Sequence, residues 1–404
     1  MGTVYRLFDR ALLREVAMKA TDPDAPLEAR VGELLLEEAQ IAGQLDHPHI
    51  VPVYDIGLGA EGTRVQFSMK LVRGKTLTEV LDEVHQRPWD DREVERCLQA
   101  ILRVCDALAF AHSRGVVHRD VKPDNVMVGT FGQVYLMDWG LAMLDRVPAV
   151  TGDRVEERPV TVTSHERRRR ADAGMIAGTP DYMAPEQAWG QTAKIDARTD
   201  VYGVGGLLYR LLTHHGPNQR SAAGGVGRTL RPTAVEPPEQ RAAWPSLPPE
   251  LCRITMKALA EDPEQRYPSV AALQADLEEF LRGGGWFSTR RYPGGTVIVR
   301  QGDPATEGYM IVEGTCAVTK AAGEATYHVR DLGPGDVFGE TALLTRDVRS
   351  ATVTASTDVV VKVVTAEAFE REFAQRSWSG TFVRAIAARF READEQLSAV
   401  RSSR

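Results

Sequence analysis

The sequence predicts an α+β protein of two domains, and three observations carry that prediction. Between residues 3 and 281, short apolar–polar alternations give way to long helical periodicities. Gly283-Gly284-Gly285 then interrupts the pattern. Beyond it, short alternating segments recur between glycine turns (Gly294-Gly295, Gly302-Asp303, Gly314, Gly333-Pro334-Gly335), the texture of a small all-β barrel or roll. The expected domains are residues 1–282 and 286–404.

In chain order, residues 3–20 read as a β-hairpin around DRALLRE, followed by a helix over 27–45 with Leu34, Leu35, Ile41 and Leu45 on one face. Strands are expected at 51–56 and 65–72. From Glu93, Val94, Leu98, Ile101, Leu102, Leu108 and Ala109 recur at helical spacing, and strand-like pieces return at 126–128 and 134–137. The polar, basic stretch 145–173, with arginines at 167–170, reads as a long exposed loop. Helical signals resume at Thr199 and run to Leu281, and a final helical region starts at Ala366.

Composition excludes several classes. A net charge of -7 argues against a nucleic-acid binder driven by bulk charge. No apolar run approaches the roughly 18 residues of a membrane span, and the N-terminus has no signal-peptide core, so a cytoplasmic location is expected. Cys97, Cys105, Cys252 and Cys316 form neither a C-x-x-C pair nor a Cys/His cluster and read as buried neutral thiols.

The chemistry-bearing residues of the first domain fall in four separated elements. Val16-Ala17-Met18-Lys19 puts a lysine on a strand, and Glu38 in the next helix can pair with it. His118-Arg119-Asp120-Val121-Lys122-Pro123-Asp124-Asn125 places a carboxylate, an ammonium and an amide in one loop, and Asp138-Trp139-Gly140 adds a second carboxylate at a strand end. Phosphoryl transfer needs charge neutralisation and alignment more than covalent catalysis. A lysine held by a glutamate suits phosphates. Asp138 and Asn125 are hard oxygen ligands for Mg²⁺, Asp120 can take the acceptor's proton, and Lys122 can neutralise the moving phosphoryl group.

These residues resemble the protein kinase superfamily over residues 2–281, most closely the bacterial eukaryotic-like serine/threonine kinases, given HRDVKPDN and GTPDYMAPEQ. The resemblance implies a bilobal kinase fold that uses ATP and Mg²⁺, with Lys122 pointing to serine/threonine acceptors. It also implies that Gly2, Val4, Ala17, Lys19, Met69 and Leu71 contribute to the nucleotide site. Glu186 of Ala184-Pro185-Glu186 is implied to pair with Arg266, and Asp200 to brace the catalytic loop. Thr179 is expected to shape the substrate pocket, and Thr161, Thr163 or Ser164 to accept a phosphate by autophosphorylation, for which self-association is one route; Thr151 lies in the same segment.

Two features depart from the pattern. Trp139 stands where most kinases have phenylalanine, at a position that packs rather than coordinates. Of the glycine-rich loop only Gly2, Thr3 and Val4 are present, so the N-lobe lacks its first strand, and the strand over residues 3–8 becomes a sheet edge. An in-frame upstream extension of a few tens of residues, carrying a strand and G-x-G, is the expectation for the gene. Gly224-Gly225-Val226-Gly227-Arg228-Thr229 imitates a P-loop, but Arg228 replaces the lysine and Ala222 the first glycine, so it reads as a loop among helices.

The second domain carries Phe338-Gly339-Glu340-Thr341-Ala342-Leu343-Leu344 and then Val348-Arg349-Ser350-Ala351. A glycine ahead of a short helix lets amides approach an anion, Arg349 can pair with a phosphate, and Glu340 can accept from a sugar hydroxyl. Residues 286–400 resemble the cyclic-nucleotide-binding domain of cyclic-AMP-dependent kinase regulatory subunits and bacterial catabolite activators. That resemblance implies a β-roll with C-terminal helices. Glu340 would meet the ribose 2′-hydroxyl and Arg349 the cyclic phosphate, with Gly339, Thr341, Ala342, Ser350 and Ala351 beside the ligand. Ser350 leaves cyclic AMP and cyclic GMP open, and the helix over 367–400 is the expected lid. The functional expectation is a protein kinase governed in cis by a cyclic nucleotide. The other reading is an inactive kinase platform serving as a cyclic-nucleotide-sensing scaffold.

Overall fold

A computed structural model of the chain describes residues 2–21, 29–58, 65–144, 159–163, 179–218, 234–242, 244, 247–282, 288–322, 325–345 and 348–365. The chain divides into two compact units, Met1–Gly283 and Gly284–Arg404.

The first unit begins with a four-stranded antiparallel sheet in the order β1-β2-β4-β3, built from β1 (Thr3–Asp9), β2 (Arg14–Ala20), β3 (Val53–Leu58) and β4 (Val65–Lys70). Helix α1 (Ala29–Gln44) packs on one face, where Leu35 and Ala39 meet Phe67. Opposed residues of an antiparallel pair share a face. Val4 and Phe67 flank Lys19, and Ala17 opposes Met69, so these five residues line that same face. As expected, β1 is a sheet edge, and Val4 is 54% exposed on it.

Among the elements not foreseen, two follow the first sheet directly. Strand β5 (Gly74–Thr76) joins β7 (Val126–Gly129) and β8 (Val134–Leu136) in a three-stranded sheet, while β6 (Val116–Val117) pairs with β9 (Met143–Leu144). Helix α2 (Leu77–His85) follows it, and its start is written in Thr76-Leu77-Thr78-Glu79. There the Thr76 hydroxyl accepts from the Glu79 amide at 3.2 Å, while the Glu79 carboxylate accepts from the Thr76 amide at 2.7 Å, a capping box.

The core of this unit is α3 (Asp91–Ser113), capped by the Asp90 side chain. Around it stand the short α4 (Pro185–Ala188), α5 (Ala197–Thr213), α6 (Pro249–Ala258) and α7 (Val270–Arg282). Helix α5 is buried on every side from Thr199 through Tyr209, the mark of a helix inside a core rather than on it. Val121, in the loop over 118–125, reaches it because position 203 is glycine: a Cβ there would lie 2.6 Å from the Val121 Cβ. Arg266 and Glu186 pair as the kinase resemblance implied, through two parallel bonds of 2.8 and 2.7 Å in full burial. All four cysteines are buried, and burial pushes the Cys97 and Cys252 thiols up to about 12.

The stretch read as an exposed loop is corrected at its centre. Val160 is 5% exposed and its amide donates to the Arg114 carbonyl at 3.2 Å. The side-chain amides of Gln44 and Gln40 on α1 bond Thr161 and Thr163. Two extended residues span about 6.6 Å and one helical turn about 5.4 Å, so a pair of glutamines four apart can hold alternate residues of an extended segment. Thr151, Ser164, the arginine run, the P-loop imitation and everything from residue 366 lie outside the described residues.

In the second unit, β10 (Ser288–Tyr292), β17 (Val359–Thr365), β12 (Glu307–Glu313) and β15 (Val337–Phe338) form one antiparallel sheet in that order. Strands β11 (Val297–Val299), β16 (Thr352–Ala355), β13 (Cys316–Ala322) and β14 (Ala325–Leu332) form the other. Val299, Ile311, Cys316, Val353, Val361 and other inward-facing apolar residues fill the space between them, which makes the roll that the glycine turns predicted. Helix α8 (Glu340–Thr345) is six residues long and follows β15 directly.

One half-buried histidine makes the stability of the first unit depend on pH. The His85 ring is stacked between His214 and Trp244 at centroid distances of 4.5 and 4.2 Å, and its Nε2 donates to the Arg210 carbonyl at 3.2 Å. Burial, and then His214, push this imidazole down from 6.5 to about 4. The unfolded imidazole takes its proton near 6.5 and the folded one near 4, so the stability present above 6.5 is lost as the pH falls through that window. The urea midpoint of the first unit is expected to drop between those pH values, and His85→Phe to flatten that part of the profile. Equal slopes in the two proteins would show that the loss comes from other groups.

Candidate active site and ligand site

Three elements bring the first constellation together. From β2, the Lys19 ammonium meets the Glu38 carboxylate of α1 at 2.6 Å and the Asp138 carboxylate at 3.2 Å. Burial opposes the Lys19 charge, but Glu38 and Asp138 outweigh it and hold its pKa above the ordinary lysine range. Burial likewise opposes the Asp138 carboxylate. Lys19, His118 and the Gly140 amide overcome it and hold that group below the usual range, so both partners stay charged near neutral pH.

Asp138 has a left-handed backbone, with φ of +61°, and caps a single 3₁₀ turn over Trp139–Leu141. A non-glycine residue held there is strained, and such strain collects at functional sites. Trp139 is buried with its ring edge-on to His118 at 4.6 Å, consistent with a packing role. The His118 ring donates from Nε2 to the Met137 carbonyl at 3.0 Å and accepts from the Asp120 amide on Nδ1 at 3.2 Å, joining the two carboxylate-bearing segments.

The catalytic loop is organised from below by Asp200, in the first turn of α5. Its carboxylate accepts from the amides of His118 and Arg119, each at 2.8 Å, and from His112 Nε2 at 2.7 Å. Burial alone would raise this carboxyl; His112, His118 and the Arg119 amide hold it below its ordinary range. Arg119 is turned to φ of +70°, which carries the chain round to Asp120.

At Asp120, Oδ2 accepts from Lys122 Nζ at 2.8 Å and from Asn125 Nδ2 at 2.9 Å, and Oδ1 accepts from the Thr179 hydroxyl at 3.2 Å. Lys122 also donates to Thr179 Oγ1 at 2.6 Å. With its amide nitrogen turned to Asp120, Asn125 keeps its carbonyl oxygen as the end able to face a cation. Asn125 and Asp138 thus offer two hard oxygens rather than a cage. That set suits Mg²⁺, which keeps water and phosphate oxygens in most of its coordination positions.

The nucleotide-site positions are distributed along the first sheet. Val4, Ala17, Lys19 and Met69 share one face of it, and the half-buried Leu71 follows β4 directly. Gly2 lies close against β2, where a Cβ would come 2.9 Å from the Ala20 carbonyl oxygen.

In the second unit, Arg349 is 6% exposed, and its guanidinium donates to the carbonyls of Gly339, at 2.9 Å, and Glu307. Burial lowers its pKa from the ordinary arginine value, against the opposing pull of Tyr309, Glu307, Asp303 and Glu340. Gly339 has φ of +76°, a conformation that favours glycine, and a Cβ there would stand 2.5 Å from Arg349 Nη1, so a side chain would be strained and would displace the guanidinium. Glu340 is half-buried, with its Oε1 accepting from the Thr341 hydroxyl at 3.0 Å; Ala342 is buried, Ala351 half-buried and Ser350 exposed. The guanidinium is bonded to the carbonyl of Gly339, the residue just before Glu340 at the start of α8, which sets a cationic donor near a carboxylate acceptor.

Sequence reasoning missed what lies under Arg349. Arg290 grips the Glu307 carboxylate through bonds of 2.8 and 2.6 Å, and Tyr309 donates to it at 2.9 Å. That clamp fixes the Glu307 backbone whose carbonyl receives Arg349. Arg290 sits on β10 and the other two on β12, with β17 between those strands, and no local pattern links them.

Similarity to known proteins agrees with this division. A family model described as "Protein kinase domain" matches residues 1–277, and one described as "Cyclic nucleotide-binding domain" matches residues 289–376. Serine/threonine-protein kinase PknD of Chlamydia muridarum is 36% identical over 302 residues, which are 72% of this chain and 31% of that protein. The PknD of Chlamydia trachomatis serovar D is 35% identical over 292 residues, 70% of this chain and 30% of that protein. The chain therefore spans under a third of the length of these curated relatives. Among solved structures, the Mycobacterium tuberculosis PknI kinase domain aligns with a TM-score of 0.46 at 22% identity, over 69% of this chain and 90% of that one.

Two substitutions test this geometry through stability. Asp200→Asn turns an amide donor toward a backbone N–H and is expected to cost the first unit about 3 kcal/mol in urea denaturation. Gly339→Ala adds strain and a collision with Arg349, and is expected to destabilise the second unit by about 1–3 kcal/mol in thermal unfolding followed on that unit. An unchanged transition in either case contradicts the packing described.

Proposed function

This chain belongs to the protein kinase family, and from that premise we propose that it transfers the ATP γ-phosphate to serine and threonine hydroxyls of proteins, under control of a cyclic nucleotide held by the second unit. The observation that carries the catalytic reading is the joint placement of the Glu38–Lys19–Asp138 triad and the Asp120–Lys122–Asn125–Thr179 cluster.

Bound ATP with Mg²⁺ would supply the activated phosphoryl group. Lys19, kept charged and aimed by two carboxylates, would hold phosphate oxygens, and Asp138 and Asn125 would hold the cation. Asp120 receives the proton of the acceptor hydroxyl. Its Oδ2 is oriented by Lys122 and Asn125, so the carboxylate needs no reorganisation as the proton arrives. Lys122 then faces the negative charge that gathers on the transferred group. The similarity to relatives named serine/threonine-protein kinases supports the acceptor class.

In the second unit, Arg349 takes the cyclic phosphate and Glu340 a ribose hydroxyl, with Gly339, Thr341, Ala342, Ser350 and Ala351 around them. Ligand binding shifts the kinase between populations of unequal activity by the difference in its affinity for them. ATP and cyclic nucleotides are cytosolic metabolites, which supports a cytoplasmic reaction.

In assays of the full chain, Asp120→Asn is expected to lower phosphotransfer at least about a hundredfold while leaving cyclic-nucleotide affinity unchanged. Activity that survives the substitution removes Asp120 from the role of base. Rates with cyclic AMP and with cyclic GMP are expected to differ from the rate without ligand, and three identical rates would reject the regulatory part.

A further inference from the structure

Segment 179–183 lies beside Asp120 and has no regular secondary structure, so its shape must come from bonds made to it. At one end the Thr179 hydroxyl contacts Asp120 and Lys122. At the other, Asn218 binds three of its carbonyls. The Asn218 Nδ2 donates to Pro180 at 3.0 Å and to Met183 at 2.8 Å, and the Asn218 backbone amide donates to Asp181 at 3.1 Å. The Asn218 Oδ1 accepts from the Tyr202 hydroxyl at 2.9 Å.

We propose that Asn218 is the positioning residue that shapes the acceptor-facing segment and so sets affinity for the protein acceptor. The inference rests on the kinase reading above and names a determinant that reading does not contain.

A carboxamide on a short stem offers two N–H donors and one acceptor in a single plane, and all are used here. The Pro180 and Met183 carbonyls decide which way the amide faces, because only its nitrogen can donate to them, and the oxygen is left to accept from Tyr202. Burial pushes the pKa of Tyr202 up, so it stays a donor. Close packing completes the seat: a Cβ on Gly216 would stand 3.0 Å from Asp181, and one on Gly206 3.1 Å from the Tyr182 ring. The turn cannot move toward α5. Without the Asn218 donors it is free to move away, and Thr179 would follow. Nothing in this set touches Lys19, Glu38 or Asp138, so the nucleotide end is spared.

The test uses the full chain with Asn218→Ala, Asn218→Asp and Tyr202→Phe, with ATP and dephosphorylated casein as substrates. For both Asn218 variants, the KM for casein is expected to rise about tenfold while the KM for ATP stays within about twofold. Tyr202→Phe, which removes one bond, is expected to give a rise of about threefold. A merely structural role would raise both KM values and lower the melting temperature in step, and that result overturns the proposal. Hydrogen exchange decides independently of activity. The amide of Tyr182, bonded to the Thr179 carbonyl at 2.9 Å, is expected to exchange at least about tenfold faster in Asn218→Ala, with residues 116–129 unchanged. Unaltered exchange at Tyr182 refutes the role of Asn218. A wild-type chain that phosphorylates nothing would instead refute the kinase reading, with the exchange result still deciding for or against Asn218.

Discussion

A single buried carboxylate organises the catalytic unit. Asp200 sits at the start of a helix enclosed on all sides, and an unpaired charge there would be ruinous to stability. It is kept charged because His118, Arg119 and His112 all donate to it. Two of those donors are backbone amides of the loop that carries Asp120, so the requirement to satisfy Asp200 dictates the path of that loop. The turn at Arg119, the approach of Val121 to Gly203 and the placement of Asp120 beside Lys122 and Asn125 all follow from it.

The second unit solves the mirror-image problem. There the buried charge is a cation, and carbonyl oxygens of Gly339 and Glu307 satisfy it. Both units therefore hold a buried charge with backbone groups, whose positions the surrounding sheet or helix already fixes. The functional consequence differs. Asp200 spends its hydrogen-bonding capacity inside the protein and serves as a brace. Arg349, with more donors than its two carbonyls use, retains capacity for an anion.

The catalytic constellation was legible in the sequence because its members lie in short runs whose chemistry is specific: Lys19 on a strand, Glu38 on the next helix, Asp120 to Asn125 in one loop. The two-domain division and the β-roll were legible from glycine spacing. Helix α2 was written in its capping box and overlooked for want of a long apolar period. The glutamine contacts to Thr161 and Thr163, the Arg290–Glu307–Tyr309 clamp and the seat of Asn218 left no sequence signal. Each joins residues far apart in sequence through polar groups that look like ordinary surface residues in isolation.

The sequence by itself determined the kinds of groups available for chemistry, the order in which the chain presents them, and the breaks where one domain yields to the next. Those properties are local: a period, a cap or a charged triplet has its meaning within a few residues. Only the tertiary structure decided that Lys19 lies between Glu38 and Asp138, that Thr179 reaches Asp120, and that Gly339 turns through a left-handed backbone against the Arg349 guanidinium. Those facts depend on distances between segments far apart in the chain, and burial sets them: each charge or polar group removed from water had to find the partner that close packing left within reach.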